Sequence, residues 1–234
     1  MIESLENTLG KESFMAHTAR LIAITKPIAE DLKDMTAEDL VVYMARVSSP
    51  KNQYNTETAP KLLKFLLREG HVSPFQMVTV SLELTTTRAV SRQLIRHRSL
   101  NVQEYSGRYA KMSEQMVPQE CRLQDKTNRQ KSLETDDPKL HAMWDEAQKK
   151  VWETAMQAYE EALANGVAKE VARSLLPEGL VESRLYITAT LRDLMFYLKQ
   201  RLGNGTQKEH CQLAQAIAEA VRPHFPHTFE AMEF

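Results

Sequence analysis

The chain has 234 residues, enough for one sizeable domain with its own buried core. Its 30 Lys and Arg stand against 31 Asp and Glu, a formal net charge of −1, which excludes the broadly basic surface that general nucleic-acid binding needs. Its two cysteines make neither a disulfide framework nor a zinc cluster, no CxxC or HExxH occurs, and no long apolar run suggests a membrane span, so a reducing cytoplasm is expected.

Residues 1–18 are acidic and polar and read as an N-terminal extension, which leaves 19–234 as the domain. "RLIAI" is a short strand closed by Lys26-Pro27. Thr36 followed three residues later by Asp39 is a capping-box start for a helix with Leu40, Tyr43, Met44 and Val47 as its apolar stripe. "APKLLKFLLREG" is a second helix, with Pro60 in its first turn and Gly70 at its end. "MVTVSLEL" alternates as a strand, Val78, Val80, Leu82 and Leu84 facing inward, and runs into threonines able to cap a helix. Residues 112–137 are polar and aperiodic and read as a long loop, of the kind used for lids and binding excursions.

A long helix is expected over residues 138–164, with Leu140, Met143, Trp144, Ala147, Val151 and Ala155 on one face and Asn165-Gly166 as its stop. "VAKEVARSLLP" is a shorter helix ended by Pro177, "RLYITATL" alternates as a strand, and "RDLMFYLKQRLGNG" is a helix with Gly203 as C-cap. The last helix opens on a Thr206/Glu209 capping box and stacks Leu213, Ile217 and Val221. Few strands, several helices and no βαβ alternation define an α+β chain, several helices packed on a small, mainly antiparallel sheet in a single domain.

The stretch "RHRSLNVQEYSGRY" at residues 96–109 is the chemical focus. The helix entering it places Arg88, Arg92 and Arg96 at i, i+4 and i+8, where like charges destabilise a bare helix by about 0.2–0.5 kcal/mol per pair. Such a row stands if it is solvated or if anions sit on it, and Arg88 taken alone reads as a solvated surface arginine. Solvation accounts poorly for Arg96, His97 and Arg98 followed by Ser106, Gly107 and Arg108. Ser106 and Arg108 offer a hydroxyl and a planar fork suited to phosphate oxygens, and Gly107 permits close backbone approach. Asn101, Gln103 and Glu104 offer hydrogen bonds to a heterocycle. The residues thus point to a phosphorylated, ring-bearing small molecule and leave the reaction open. Cys121 and Cys211 read as partly buried thiols, and no metal is implied.

Arg96-His97-Arg98, seven residues and then Ser106 form an RHR-x7-S pattern, extended by E-x-S-G-R-Y at residues 104–109. With "ARVS" ending at Ser48, "GHVSPF" around Ser73, "ARSLLP" around Arg173 and "TATLRDLMFYLKQR" ending at Arg201, the chain resembles the flavin-dependent thymidylate synthases over roughly residues 20–230. It departs from the commoner pattern at Gln76, Asn101, Gln103 and Thr190. The resemblance implies conversion of dUMP to dTMP, with methylenetetrahydrofolate as carbon donor and a hydride from FAD that NADPH has reduced. It implies that Arg201 lies against the pyrimidine and stabilises charge there; without the likeness Arg201 reads as a helix C-terminal cation. It further implies nucleotide contacts from Gln93, Arg96, Glu104, Tyr105, Ser106, Gly107, Arg108 and Arg173. The flavin would be held by Ser48, Ser73, Arg96, His97, Arg98, Gln103, Glu104, Thr190 and Arg192. His97 reads alternatively as a core histidine, and His71 resembles a residue on the folate or nicotinamide side. A homotetramer with shared sites is implied as well. Two rivals remain at this stage: a dUMP hydroxymethylase on the same scaffold, and a catalytically silent nucleotide- or flavin-binding regulator.

Overall fold

Two long strands with strict alternation organise the molecule. The computed structural model describes residues 17–203 and 205–232. Strand β2 (Thr79–Thr87) buries Val80, Leu82 and Leu84, and β6 (Glu182–Thr190) buries Ser183, Leu185, Ile187 and Ala189. They pair antiparallel along their whole length, from Thr79 opposite Thr190 to Thr87 opposite Glu182. β1 (Thr18–Ile24) flanks β2, with an irregularity between Leu21 and Ala23, and β3 (Asn101–Glu104) flanks β6, giving the order β1-β2-β6-β3. One face of this sheet is apolar and covered; the other carries Ser81, Glu83, Tyr186 and Thr188 outward. The α+β expectation holds.

Both central strands run directly into a helix through a threonine cap. Thr87 accepts from Val90 N at 3.3 Å to open α3 (Arg88–Leu94), and Thr190 accepts from Asp193 N at 3.2 Å to open α6 (Leu191–Arg201). Because the strands are antiparallel, the helices start at opposite ends of the sheet and run back over its buried face toward each other. Their C-terminal ends are what meet, with Arg201 bonded to His97, and one half of the candidate site lies there.

The remaining helices close the core. α1 (Ala37–Ala45) opens on the full Thr36/Asp39 capping box, and α2 (Ala59–Arg68) ends before Gly70 at φ +71°. In α1 the buried apolar residues are Ala37, Leu40, Val41 and Val42, whereas Val47 is exposed, so the expected stripe is turned toward Val41. α7 (Lys208–Val221) buries Leu213, Ile217 and Val221 as expected. α8 (Pro226–Ala231) is tied to α1 by Glu38, which accepts from Thr228 N and Oγ1, each at 2.7 Å.

Several boundaries differ from the sequence expectation. The expected extension over residues 1–18 lies outside the described residues except for its last two: His17 Nδ1 is 2.8 Å from Thr86 Oγ1, and Thr18 opens β1. The segment 112–137 holds a hairpin, β4 (Arg122–Gln124) with β5 (Ser132–Glu134), and buries Met112, Val117 and Cys121. α4 (Pro138–Ala164) has the expected limits, with Gly166 at φ +80° after it, but buries Gln148, Trp152, Met156 and Tyr159. Met143 and Val151, expected inside, are 53% and 51% exposed. The helix carries two apolar stripes, and the aromatic one packs on Met112, Ala172, Leu176, Leu180 and Val181. α5 (Lys169–Ala172) continues into a turn at Arg173–Leu175. The positive φ after α6 falls at Gly205, +90°, and not at Gly203. The Thr206/Glu209 box does not form: Gln207 stands at the N-cap position of α7, and Glu209 turns inward to Arg122. Among the described residues no helix is long and apolar enough to cross a membrane.

Candidate active site

The first half of the site is built around Glu104. β3 places Val102 and Glu104 on the covered face of the sheet, opposite Ile187 and Leu185, and Asn101 and Gln103 on the outer face, opposite Thr188 and Tyr186. Gln103 and Glu104, expected to share the flavin, therefore point to opposite sides within one chain. Glu104 Oε1 accepts from Ser91 Oγ at 2.6 Å and Ser183 Oγ at 2.9 Å, both serines fully buried. Its Oε2 faces Arg88 Nη2 at 3.8 Å and Arg92 Nη1 at 4.0 Å, and Glu178 faces the same pair at 4.0 and 3.4 Å.

Arg88 is thus not a solvated surface residue. Its side chain is 11% exposed, and Nη1 is buried with no hydrogen-bond partner among the described residues. A buried guanidinium nitrogen left unpaired is costly, and here it is oriented by carboxylates that do not satisfy it. Nor does Arg96 continue the row of Arg88 and Arg92, because α3 stops at Leu94 so that the chain can turn into β3.

Beyond β3 the chain turns over Ser106, whose carbonyl accepts from Tyr109 N and Ala110 N at 3.1 and 3.2 Å. Ser106 Oγ accepts from Arg108 N at 3.4 Å, Arg108 Nε reaches Glu170 Oε2 at 3.1 Å, and Arg173 Nε donates to the Glu170 carbonyl at 3.3 Å. Tyr105 Oη donates to the Lys111 carbonyl at 2.5 Å. Gly107 is buried here, and a Cβ would stand 2.6 Å from Met112 Sδ and 3.1 Å from Arg173 Cδ. The glycine lets these two side chains close over the turn. Ser106, Gly107, Arg108 and Arg173 are therefore brought together as expected. Beside them a cavity of about 380 Å³ is lined by Arg88, Arg92, Arg173, Ser174, Glu170 and Glu178, with Met112, Leu176 and Val181 as its apolar part.

The second half lies where α3 and α6 converge. Arg201, the last residue of α6, donates from Nε to His97 Nε2 at 2.8 Å, and the His97 ring stands edge-on to Tyr197 at 4.9 Å. Burial, with the Arg201 and Arg96 charges beside it, lowers the His97 pKa, so the ring is a neutral acceptor carrying its proton on Nδ1. Bonded through Nε, Arg201 keeps both Nη groups for a ligand. Gln93 Nε2 donates to Gln207 Oε1 at 2.6 Å, and Gln93 Oε1 lies 3.2 Å from Nδ1 of the buried His210.

The remaining candidates lie further out. Arg96 and Arg98 are exposed and make no hydrogen bond or ion pair among the described residues. Arg192 pairs with Asp193 at 3.1 Å, and the Gln76 amide oxygen, turned toward it, accepts from its Nη1 and Nη2 at 2.6 and 2.9 Å. Gln76 thus does by hydrogen bond what an acid there would do by charge. Thr190 Oγ1 is engaged with Asp193 Oδ2 at 2.7 Å. Ser48 follows α1, Ser73 opens a turn packed on α1 and α6, and His71 stacks edge-on to Phe65 at 6.1 Å; all three are exposed. Among the described residues no hydrogen bond joins them to Arg96, His97 or Arg98. Sequence reasoning missed Ser91, Ser183, Glu178, Tyr197 and His210, which carry no local signal and acquire meaning only through partners distant in the chain.

The arginines that gather around one carboxylate and one glycine turn, next to a histidine-braced guanidinium, define an α+β protein built to hold a small anionic ligand. The family model described as thymidylate synthase complementing protein matches residues 31–227. The chain is 46% identical over 216 residues to the flavin-dependent thymidylate synthase of Synechocystis, covering 92% of this chain and 99% of that one. It is 42% identical over 217 residues to a probable flavin-dependent thymidylate synthase of Paramecium bursaria Chlorella virus 1, covering 93% and 99%. Among solved structures it is similar to the UMP/dUMP methylase PolB of Streptomyces cacaoi bound with 5-Br dUMP, with TM-score 0.78 and 26% identity over 93% of this chain and 94% of that one. The chain belongs to the flavin-dependent thymidylate synthases.

Proposed function

We propose that this chain converts dUMP to dTMP by reductive methylation, with methylenetetrahydrofolate as carbon donor, and that Arg201 is its catalytic residue. The observation that carries the assignment of Arg201 is its Nε–H bond to His97, which brings the α6 terminus to the RHR segment. The donor set suits a flavin diphosphate: Arg96 and Arg98 are exposed cations without a partner among the described residues, and Arg192 and His97 stand as further contacts. When bound, FAD supplies the hydride that NADPH has delivered to it. The chain's own residues bind and polarise. Arg108, Arg173 and Ser106 hold the phosphate, while Gln93, Glu104 and the Tyr105–Gly107 backbone orient the nucleotide. Arg201, always protonated, stabilises the negative charge on the pyrimidine oxygens or N3 that activates C5 toward the methylene carbon of the folate. Its fork is pre-aimed by neutral His97, so little reorganisation is needed when that charge develops. Ser106 has no neighbouring base and acts in binding, not as a nucleophile.

Self-association as a homotetramer is part of this proposal. Its support is the outward stripe of α4 at Met143, Ala147 and Val151, and the separation of Gln103 from Glu104 onto opposite faces, which a site shared between chains would reconcile. Two free thiols, Cys121 buried and Cys211 half-buried, support a reducing cytoplasm. The test is direct. The purified protein should carry a flavin absorption that NADPH bleaches, and incubation with dUMP, methylenetetrahydrofolate and NADPH should give a product of dTMP mass. A hydroxymethyl product would establish the hydroxymethylase, and no turnover the silent regulator. UMP belongs in the same assay, since the similar methylase from Streptomyces cacaoi is a UMP/dUMP enzyme.

A further inference from the structure

Beside the site runs a polar chain from buried Tyr197 and His210 through half-buried Gln93 and exposed Gln207 to buried Glu209, and apart from Gln93 none of these has a part in the reaction. His210 on α7 and the Tyr197 ring on α6 are fully buried, with His210 Nε2 3.1 Å from Tyr197 Oη and His210 Nδ1 3.2 Å from Gln93 Oε1. Gln93 Nε2 donates to Gln207 Oε1 at 2.6 Å, and Gln207 Nε2 to Glu209 Oε2 at 2.8 Å. The other oxygen of Glu209 takes Arg122 Nη2, from β4, at 2.6 Å.

The last member sets the direction of every bond. An ionised carboxylate can only accept. Burial pushes the Glu209 carboxyl up, but the hydrogen bonds from Gln207 and Arg122 prevail and hold it below its ordinary value. Gln207 must therefore turn its NH2 to Glu209 and its oxygen to Gln93. Gln93 in turn gives its NH2 to Gln207 and its oxygen to His210. His210 then carries its proton on Nδ1, and its bare Nε2 accepts from Tyr197. Without the carboxylate either amide could rotate by half a turn and keep its shape. Burial first, then the Arg201 charge, and then the neighbouring His97 and His17, bring the His210 pKa to about 3, so the ring keeps the lone pair that Tyr197 needs.

We propose that Glu209, Gln207 and His210 are positioning residues that fix the amide of Gln93 and so set which of its atoms faces the pyrimidine nucleotide. The inference rests on the reading of Gln93 as a nucleotide contact. Half-buried, Gln93 has one N–H and one oxygen lone pair uncommitted, and the chain determines where each lies. Arg122 also makes the hairpin of residues 122–134 the outer anchor of this arrangement, a task for the segment that the sequence shows only as a loop.

The test uses the flavin-loaded enzyme and steady-state kinetics in dUMP. Glu209→Gln keeps the shape and removes the acceptor-only end. The pair Tyr197→Phe/His210→Leu removes the two fully buried partners together and leaves only the half-buried Gln93 oxygen released, which keeps the test open if Glu209→Gln fails to fold. Each should raise the KM for dUMP about 3–10-fold, the worth of one oriented hydrogen bond, and leave kcat within about 2-fold. The decisive measurement repeats both changes in a Gln93→Ala background, where a residue acting through Gln93 should add no further loss. Full additivity there, or unchanged KM in the wild-type background, overturns the positioning role. If Gln93→Ala itself leaves dUMP binding untouched, the nucleotide-contact reading fails, and the inference falls with it for that separate reason.

Discussion

Arg201 stands at a helix end, where a lone cation would be unremarkable, and its neighbours give it a different character. The bond to His97 uses Nε, so Arg201→Lys would keep the charge but lose both that bond and the planar fork. Loss of one preorganised donor at developing charge costs about 2.7–4 kcal/mol, so dTMP formation at saturating dUMP should fall about 100–1000-fold. Reduction of the bound flavin by NADPH should survive, and Arg108→Ala should instead raise the KM for dUMP, because a phosphate contact is made equally in ground and transition states. A wild-type rate in Arg201→Lys would return Arg201 to the role of helix-end cation. The histidines allow a second residue-level prediction. His17, His97 and His210 all have pKa values lowered from 6.5, each mainly by burial. An unfolded chain binds these protons more readily, so stability is fully present above about pH 6.5 and falls as pH drops below it. Melting temperatures should decline between pH 7 and 5, less steeply in Tyr197→Phe/His210→Leu; a flat profile would show that His210 does not titrate on unfolding. Three of the proposed binding arginines, Arg96, Arg98 and Arg108, are legible in RHR-x7-S and E-x-S-G-R-Y. Arg88 is not, because its burial depends on Glu104 and Glu178, and helix spacing registers only its like-charged neighbours.

At the scale of elements, the two expected capping boxes make a natural comparison. Thr36 and Asp39 form theirs in full, whereas Thr206 Oγ1 donates to the Gln200 carbonyl at 3.2 Å and Glu209 is drawn inward by Arg122. Thr36→Ala should therefore cost about 1 kcal/mol of stability. Thr206→Ala should cost less, about 0.5 kcal/mol, because the half-buried threonine loses one hydrogen bond and no cap. Equal losses in denaturant unfolding would contradict this difference between the two helix starts. The contrast also shows what local sequence can and cannot specify. β2, β6, α1, α2 and α4 are legible because alternation, caps and stop signals lie within their own residues. β3 is hidden inside the polar motif, since two of its four residues face outward and a third is the half-buried carboxylate Glu104. The orientation of α4 is hidden for another reason: two stripes of similar apolarity compete, and the choice rests on Met112 and Val181, which the helix meets only in three dimensions.

On the whole-molecule scale, the exposed stripe of α4 is the feature that a single chain leaves without explanation. Met143, Ala147 and Val151 recur every four residues on a helix of 27 residues, and the two larger ones are more than half exposed. A monomer can carry scattered apolar residues outside, but a periodic row on a rigid helix is the pattern that helix packing uses. If the row packs against another copy, Val151→Glu places an unpaired charge in that interface without entering the core of its own chain, where Trp152 and Tyr159 point. Light scattering of the flavin-loaded wild type should give about four times the chain mass of 26.8 kDa. Val151→Glu should shift it to smaller species. Because Gln103 and Glu104 face opposite sides of one chain, a site shared between copies predicts that flavin affinity falls with the assembly, while the secondary structure read by circular dichroism stays unchanged. A Val151→Glu protein that remains at four chains would place the interface elsewhere, and a dissociated one that still binds flavin tightly would confine the flavin site to a single chain.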